Sequence, residues 1–395
     1  MLASALKNSC IELFRHASRA CNVTQVKTGI LVFSVLFIFT LNPLSAKVIV
    51  GEVQYETLVS DLNSPWSMRQ LSDDEWVITE RDGHLVFIKD KQKTRIKLNL
   101  PDLYVAGQGG LLDILPAPDY DKSRRLFISY AQGNAGENYL TVGTFKREGD
   151  SVTPIERIFQ VNEAKNTPVH YAGRLVFLPD QSLVVSSGDG FDFREQAQVA
   201  NNYMGKLLRI HQDGSIPSDN PFSLPGGSKS PVYSLGHRNP QGLVYVEDQK
   251  RLYSHEHGPA GGDELNIIVA GKNYGWPVIT YGNDYSGARI SPFREYPNME
   301  QPLIDWTPSI APSGMDYYSK TIQNGFSELA GQLLVSTLVD KRVYAVDIQQ
   351  QTPKVTSVFP YISERVRDVR VAHDGSVFIL TDGYDASLVV AKPAL

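Results

Sequence analysis

The sequence predicts an all-β protein, a six-bladed β-propeller. After residue 47 the apolar residues recur with the period of β-strands, without long helical periods, and a short theme recurs six times. In this theme a turn rich in Asp, Gly or Gln precedes four or five strand-forming residues, often followed by a polar or acidic end. The copies are DDEWVITERDG (from Asp73), RRLFISY (from Arg124), DQSLVVSSGD (from Asp180), DQKRLYSHEHG (from Asp248), GQLLVSTLVD (from Gly331) and DGSVFILTDG (from Asp374). A strand motif that recurs along a chain is typical of propeller blades.

The spacing of these copies is uneven, about 40 to 80 residues, which suits blades with loops of different length. In a propeller, neighbouring blades bury a common core and their loops surround a central funnel, where we expect the site. Generic hairpins would produce a similar theme, so the number of blades stays open by one. No Ser/Gly-rich or Pro-rich linker divides residues 47–395, which predicts one domain over this range.

The first 46 residues have the features of a secretory signal peptide. An uncharged run of 13 residues, Gly29–Leu41, follows the basic Lys27 and precedes the small residues that end at Ala46. We expect cleavage after Ala46 and a periplasmic or secreted domain. A spanning helix needs about 20 apolar residues, so we expect no stable membrane insertion of the mature chain. An uncleaved membrane anchor is the alternative, because the segment before Lys27 is long for a signal peptide.

Charge and cysteine content exclude several functions. The net charge is −5, and removal of residues 1–46, which contain four basic residues and one acidic residue, changes it to −8. An acidic surface does not favour binding of nucleic acid or anionic lipid. Both cysteines, Cys10 and Cys21, lie in the predicted signal segment, so the exported part has neither a disulfide nor a thiolate ligand.

The stretch from His170 to Gly190 contains the first candidate residues. An apolar strand, a Pro-Asp turn and a second strand lead from His170 to Asp189. Because a hairpin returns the chain, the two side chains are expected near the same rim. A histidine held by a carboxylate is suited to act as a base near neutral pH. For this motif alone, a histidine that caps a turn is the simpler alternative.

Two loops carry polar groups suited to a ligand rich in oxygen. GQGGLLD, from Gly107, presents the amide of Gln108 between glycines that let a ligand approach the backbone. GHRNPQG places Arg238, Asn239 and Gln241 side by side, which favours charge-assisted hydrogen bonds to planar groups. An arginine that forms an ion pair on a turn is the alternative.

The stretch EHGPAGGDELN is a candidate metal loop. Gly258 and Pro259 leave backbone carbonyls without regular strand partners, and Glu256, Asp263 and Glu264 supply further oxygens nearby. Hard oxygen ligands on an irregular loop favour Ca²⁺ over zinc.

Two later stretches complete the set of candidate residues. PSIAPSG is expected to form a rigid loop with a hydroxyl at Ser309. RVRDVR places Arg365 and Arg367 on one face of a strand, where they repel each other unless an anion or acidic residues lie between them. A ligand with carboxylates would meet this need, and a solvated face near Asp368 is the alternative.

Together these motifs resemble the soluble aldose sugar dehydrogenases of the glucose/sorbosone dehydrogenase family. The resemblance extends from PWSM at Pro65 to TDG at Thr381 and includes GQGGLLD, HYAGRLVF, GHRNPQG, EHGPAGGDELN, NYGWP, PSIAPSG and RVRDVR in this order. It implies a six-bladed propeller that uses pyrroloquinoline quinone (PQQ) and Ca²⁺. It also implies oxidation of the C1 hydroxyl of an aldose sugar to the aldonolactone, with an electron acceptor that the sequence does not identify.

The resemblance also implies roles for single residues. The implied base is His170, oriented by Asp189, and the implied Ca²⁺ ligands are the carbonyls of Gly258 and Pro259. Arg238 would also polarise the reactive carbonyl of the quinone. The implied contacts to the cofactor come from several loops: Gln108, Arg238, Asn239, Gln241, Ser309, Arg365 and Arg367.

One departure from the family pattern concerns cofactor binding. The family usually has a lysine that contacts PQQ after the leucine of the fifth-blade motif, and here STLVDKR places Val339 there and Lys341 two positions later. Strand alternation would direct both side chains to the same side, so Lys341 is the expected substitute. If nothing substitutes, the alternative is a propeller that has lost PQQ and acts as a Ca²⁺-dependent sugar-binding module or a lactone hydrolase.

Overall fold

The computed structural model describes residues 51–394, which form six antiparallel sheets arranged as the blades of a propeller. The prediction of an all-β, six-bladed propeller is confirmed. The predicted signal segment, residues 1–46, lies outside the described residues. Within residues 51–394, no helix has the length and apolar character needed to cross a bilayer.

In each blade the strands are arranged in chain order from the innermost to the outermost, except that β1 completes blade 6. In chain order the strands are β1 (Val53–Leu62), β2 (Pro65–Ser72), β3 (Glu75–Glu80), β4 (His84–Lys89), β5 (Gln92–Lys97), β6 (Leu111–Pro116), β7 (Arg125–Gly133), β8 (Asn138–Glu148), β9 (Ser151–Val152), β10 (Glu156–Gln160), β11 (Ala172–Phe177), β12 (Leu183–Ser187), β13 (Lys206–Ile210), β14 (Val232–Leu235), β15 (Pro240–Val246), β16 (Arg251–Glu256), β17 (Asp263–Ile268), β18 (Ile304–Trp306), β19 (Pro312–Tyr318), β20 (Gln332–Thr337), β21 (Val343–Asp347), β22 (Lys354–Val358), β23 (Val366–Val371), β24 (Val377–Thr381) and β25 (Ala386–Pro393). Blades 1 to 5 consist of β2–β5, β6–β10, β11–β14, β15–β18 and β19–β22, and blade 6 consists of β23–β25 with β1. The helical segments of the described chain are α1 (Tyr120–Ser123) and the 3-10 turns Arg194–Gln198 and Ser327–Leu329.

The six recurring motifs form the second strand of each blade: β3, β7, β12, β16, β20 and β24. These strands are buried along most of their length, for example all five residues of β12 and of β24. Adjacent blades cover both of their faces, so the strands carry continuous apolar runs instead of an alternating pattern. This is the physical reason why the theme was visible in the sequence.

The ring closes between the two ends of the described chain. Strand β1 pairs with β25, from Val53 opposite Pro393 to Leu62 opposite Ala386, so the first strand of the chain becomes the outermost strand of the last blade. The innermost strands β2, β6, β11, β15, β19 and β23 contact one another in a closed circle. Between blades 1 and 6, Trp76 stacks on Phe378 with ring centroids 3.9 Å apart.

A buried arginine on the innermost strand of blade 3 connects all six blades. Nη1 of Arg174 lies 3.7 Å from carboxylate oxygens of two aspartates, its Nε and Nη2 donate to two backbone carbonyls, and its guanidinium stacks over a tryptophan. These partners come from the five other blades: Trp66, Asp113, Gln241, Ser313 and Asp368. A buried charge is costly without partners, so this network fixes the innermost strands relative to one another beneath the site.

The pairing of first and second strands places the candidate loops at one end of the propeller. In five of the blades, the start of the first strand lies opposite the end of the second: Pro65 opposite Glu80, Ala172 opposite Ser187, Pro240 opposite Glu256, Pro312 opposite Thr337, and Val366 opposite Thr381. Each predicted site residue lies near one of these ends or in the loop before blade 2. The strand pattern therefore brings them all to one face.

Candidate active site

The structure brings His170 and Asp189 into direct contact. Nδ1 of His170 lies 2.7 Å from Oδ1 of Asp189, and Oδ2 accepts a hydrogen bond from the indole Nε1 of Trp276 at 2.7 Å. The backbone N–H of Phe191 also donates to Oδ1, at 2.8 Å. Asp189 is itself anchored, because its N–H donates to the carbonyl of Arg238 at 2.8 Å. The carboxylate is thus fixed from blades 3 and 4 and can orient the imidazole.

The electrostatics of the pair favour a neutral imidazole. Burial lowers the pKa of His170 below its ordinary value, against the opposing hydrogen bond and charge of Asp189. For Asp189, burial acts to raise the pKa, but the hydrogen bond with His170 and the charge of Arg238 hold the pKa below its ordinary value. Near pH 7 the carboxylate is therefore charged and accepts a hydrogen bond from Nδ1–H, which leaves Nε2 as the basic nitrogen.

The backbone of His170 is held in a left-handed conformation, with φ of 53°. Its N–H donates to Oε1 of Gln108 at 2.8 Å, and the N–H of Gln108 donates to the carbonyl of Pro168 at 2.8 Å. Gly188 passes so closely that a Cβ there would lie 2.2 Å from the carbonyl oxygen of His170. Gln108 is thus a positioning group for the histidine, since its side-chain oxygen is already engaged.

Arg238 lies between this pair and the predicted metal loop. Nη1 donates to the carbonyls of Gly258 at 2.6 Å and His257 at 3.1 Å, and the backbone N–H donates to Oε2 of Glu256 at 2.5 Å. Nε is buried and has no hydrogen-bond partner among the described residues. A buried guanidinium donor without a partner is costly, so this N–H is a candidate contact for a bound group.

The loop around Gly258 and Pro259 is shaped by Asp263, whose two carboxylate oxygens both accept hydrogen bonds. Asp263 accepts the N–H of Gly258 at 2.9 Å through Oδ1 and the hydroxyl of Ser309 at 2.6 Å through Oδ2. Glu256 likewise accepts backbone and histidine donors, and Glu264 accepts a hydrogen bond from Asn266. The supply of metal ligands by these three carboxylates stays a prediction. A Cβ at Gly258 would lie 2.2 Å from the carbonyl oxygen of Gly262, so the turn requires glycine.

Asn239 and Gln241 form a buried pair behind Arg238. Nε2 of Gln241 donates to Oδ1 of Asn239 at 3.1 Å, and the backbone carbonyl of Gln241 accepts the hydrogen bond from Arg174. This arrangement leaves the amide nitrogen of Asn239 as the group that can donate to a ligand. Gln241 supports Asn239 in this geometry.

Arg365 and Arg367 share a carboxylate, as their spacing requires, but it belongs to Asp382. Nε of Arg365 lies 2.9 Å from Oδ2, and Nε and Nη2 of Arg367 lie 2.8 and 2.7 Å from Oδ1. Asp368, the neighbour named as the alternative, points to the axis and contacts Arg174. Two guanidinium groups therefore share one carboxylate, and they hold the pKa of Asp382 below its ordinary value against the effect of burial.

Val339 and Lys341 lie in the turn between β20 and β21, not in a strand. The side chain of Val339 is 56% exposed, and its N–H donates to the carbonyl of Ile310 on the loop that carries Ser309. Lys341 is exposed and has φ of 54°. The premise that strand alternation directs both side chains to one side is therefore wrong, because neither residue has strand geometry.

Three residues that contribute to this face were not assigned roles from the sequence. Asp382 ends the sixth copy of the recurring theme as Asp189 ends the third, so an acid in this position was a usable signal. Trp276 belongs to the NYGWP motif, for which no role was predicted. Arg81 follows β3, and Nε donates to the carbonyl of Gly109 at 3.0 Å, which braces the loop that carries Gln108.

Comparison with known proteins adds independent evidence. Residues 62–390 match the family model described as glucose/sorbosone dehydrogenase. The aldose sugar dehydrogenase YliI of Escherichia coli is 36% identical over 351 residues, which cover 86% of this chain and 93% of that protein. The crystal structure of the E. coli soluble aldose sugar dehydrogenase in the apo form superposes with a TM-score of 0.81 at 34% identity and covers 87% of this chain and 100% of that one.

A solved structure of the PQQ-bound aldose sugar dehydrogenase of Streptomyces coelicolor is also similar, with a TM-score of 0.67 at 25% identity, over 86% of this chain and 98% of that chain. The family model covers most of the chain, including every candidate residue. The fold, the order of the motifs and the contact between His170 and Asp189 agree with this match. The chain therefore belongs to the glucose/sorbosone dehydrogenase family of oxidoreductases.

Proposed function

We propose that this protein is an exported, PQQ-dependent aldose dehydrogenase that oxidises the C1 hydroxyl of a sugar to the aldonolactone with the assistance of Ca²⁺. The observation that carries the proposal is the buried contact of His170 with Asp189, which presents Nε2 as a base beside the guanidinium of Arg238. Export is proposed from the sequence of residues 1–46. Names of the similar proteins support the substrate class and the cofactor.

The described residues fit an anionic, oxygen-rich cofactor. Nε of Arg238 is a buried donor without a partner in residues 51–394. Arg365 and Arg367 present two positive charges against the single carboxylate of Asp382. An excess of guanidinium groups favours carboxylate binding, and PQQ carries carboxylates. Asn239, supported by Gln241, and the loop of Ser309 would contact the same group.

The loop of Gly258 and Pro259 fits Ca²⁺ through its backbone. The carbonyl of Gly258 accepts one hydrogen bond, from Nη1 of Arg238 at 2.6 Å, and a carbonyl oxygen has a second lone pair for another partner. Carbonyl oxygens on an irregular loop are ligands that Ca²⁺ accepts. Because Glu256 and Asp263 are engaged by backbone donors, we assign the metal to the two carbonyls alone.

In the proposed reaction, His170 removes the proton of the C1 hydroxyl through Nε2 while the C1 hydrogen leaves with two electrons as hydride. PQQ, when bound, supplies the quinone that takes up this hydride, and Ca²⁺ supplies a Lewis acid. Asp189 stabilises the imidazolium that forms, and Arg238 stabilises negative charge that develops on an oxygen. The carbon is oxidised to the lactone, and the electrons pass to an acceptor that awaits identification.

Reconstitution tests this proposal. Purified protein is mixed with PQQ, Ca²⁺, a redox dye and one of a panel of aldoses, and dye reduction is followed. We expect reduction only when PQQ, Ca²⁺ and sugar are all present. Without dye reduction and without PQQ binding by calorimetry, the protein would instead be a Ca²⁺-dependent sugar-binding module or a lactone hydrolase, and Val339 would be the first position to examine. Hydrolysis of a lactone substrate would then identify the lactone hydrolase, and its absence would leave the sugar-binding module.

A further inference from the structure

Two exposed aromatic side chains lie beside His170 at the mouth of the site. The ring of Phe191 meets the imidazole edge to face, with centroids 5.1 Å apart and an interplanar angle of 77°. Tyr285 stacks on Phe191, with centroids 6.3 Å apart and an angle of 18°. Phe191 is 43% exposed and Tyr285 is 65% exposed. We call this pair the aromatic wall.

The backbone of Phe191 has a left-handed conformation next to the base. Its φ is 71°, a left-handed conformation that is strained for a non-glycine residue, and its ring lies outside the buried core clusters. The conformation is held by the N–H of Phe191, which donates to Oδ1 of Asp189. A glycine would form the same turn at lower cost. Strain of this kind is retained at functional positions, and here it holds an aromatic ring next to the base.

Tyr285 lies in the loop between β17 and β18, which contacts the loop of Phe191 between β12 and β13. Asp284 forms a short turn with Ser286 and Gly287, and its Oδ2 lies 3.7 Å from Nη1 of Arg194, three residues after Phe191. The guanidinium of Arg238 lies 5.9 Å from the ring centre of Tyr285. The wall is therefore built from blades 3 and 4 on the same side of the funnel as His170.

The chemistry of the wall suits the apolar face of a sugar ring. Aromatic faces favour apolar C–H surface and gain from its removal from water, and a pyranose presents a nearly flat face of C–H groups. We propose that Phe191 and Tyr285 bind this face and select aldoses in the pyranose form. The inference rests on the proposed function, since it assigns the substrate class of the same site. The edge contact with His170 places the wall toward the substrate, on which the base acts.

A comparison of two aldoses tests the wall. Glucose forms a pyranose ring, whereas glyceraldehyde offers the same oxidation at C1, as its hydrate, but is too short to form a pyranose. In Phe191→Ala and Tyr285→Ala we expect kcat/KM for glucose to fall about 3- to 10-fold, mainly through KM, with kcat/KM for glyceraldehyde unchanged. Phe191→Tyr and Tyr285→Phe, which keep the rings, should retain the glucose value.

Tyr361→Ala serves as a control, because Tyr361 is 69% exposed and stacks on Tyr55 of β1, the outermost strand of blade 6. An equal fall for both aldoses in Phe191→Ala would overturn the proposal, since it would show that the ring acts only by positioning His170. Unchanged kinetics for both would overturn it as well.

A binding measurement separates this inference from the proposed function. Methyl β-glucopyranoside keeps the pyranose face but has no free C1 hydroxyl, so its contact with the protein can be measured by saturation-transfer NMR without turnover. We expect transfer to its ring protons in the wild type and a loss of transfer in Phe191→Ala with Tyr285→Ala. Failure of sugar-dependent dye reduction in the wild type would contradict the proposed function alone, whereas transfer unchanged by the double substitution would contradict the wall.

Discussion

The two sides of the funnel differ in how their charges are satisfied. On the side of blades 3 and 4, His170, Asp189 and Arg238 contact one another or adjacent backbone groups. On the side of blade 6, Arg365 and Arg367 share the single carboxylate of Asp382. The base side is organised without a ligand, whereas the arginine side retains positive charge that an anion would neutralise. Chemistry and cofactor affinity should therefore respond to different substitutions.

The largest expected effect is on turnover at the base side. His170→Ala removes the group that accepts the C1 proton, and general-base catalysis contributes about 10²- to 10⁴-fold, so turnover should fall by at least this much. PQQ affinity, measured by calorimetry, should stay within about twofold, which is within about 0.4 kcal/mol. His373→Ala is the matched control, because His373 pairs with Asp73 at 3.2 Å and is largely exposed. Retained turnover in His170→Ala would remove this residue as the base.

The next effect is on cofactor affinity at the arginine side. Arg367→Gln removes a largely buried charged donor, and hydrogen bonds to charged groups contribute about 1.5–3 kcal/mol, so PQQ should bind about 10- to 100-fold more weakly. Arg365→Gln should weaken PQQ binding less, by about twofold to fivefold, because the side chain of Arg365 is 48% exposed. Arg251→Gln, at the opposite end of blade 4, should leave the affinity unchanged. Equal PQQ affinity in all three variants would contradict the assigned anion site.

The pH dependence of turnover tests whether Asp189 acts on His170 through its charge as well as by orienting the imidazole. Because burial lowers the pKa of His170 below 6.5, the base stays neutral into mildly acidic solution, and kcat/KM should decline only below about pH 6.5. Asp189→Asn removes a charge that raises this pKa, so the decline in kcat/KM should move to still lower pH. The value of kcat/KM above the decline should fall about 10²-fold or more, because the imidazole is no longer oriented. A decline centred above pH 7 in the wild type would contradict the burial of a neutral imidazole.

The smallest expected effect concerns the turn after β20. Val339→Lys adds a positive charge at a position 56% exposed beside the loop of Ser309, so PQQ should bind about twofold to fivefold more tightly, as expected for a screened surface charge. Val269→Lys, which adds the same charge at an exposed position of the loop after β17, is the control. If affinity is unchanged, Lys341→Gln should weaken it, which would show that Lys341 already supplies the contact.

The propeller could be predicted because each blade contains a strand that is recognisable from a short run of neighbouring residues. Strands buried on both faces carry runs such as LVVSS and VFILT, and one such run occurs in each blade. The contact of His170 with Asp189 was also predictable, since both belong to one hairpin whose ends must meet.

The remaining contacts depend on pairing between distant segments. Asp382 comes to Arg365 and Arg367 through the register of β23 and β24, in which Val366 lies opposite Thr381, and no rule of spacing gives this register. Asp368 was the nearer acid in sequence, but alternation along β23 turns it to the axis. Lys341 lies in a turn with positive φ, where the alternation rule does not apply.

In the proposed reaction, hydride leaves C1 of the sugar as His170 takes the hydroxyl proton. A single-turnover experiment tests it most directly: protein loaded with one equivalent of PQQ in Ca²⁺ is mixed rapidly with glucose or glucose deuterated at C1, without dye, and the absorbance of the cofactor is followed. We predict one equivalent of cofactor reduction, slowed by the deuterium and abolished in His170→Ala. Reduction that proceeds equally fast in His170→Ala, or no reduction by sugar in the wild type, would contradict the account.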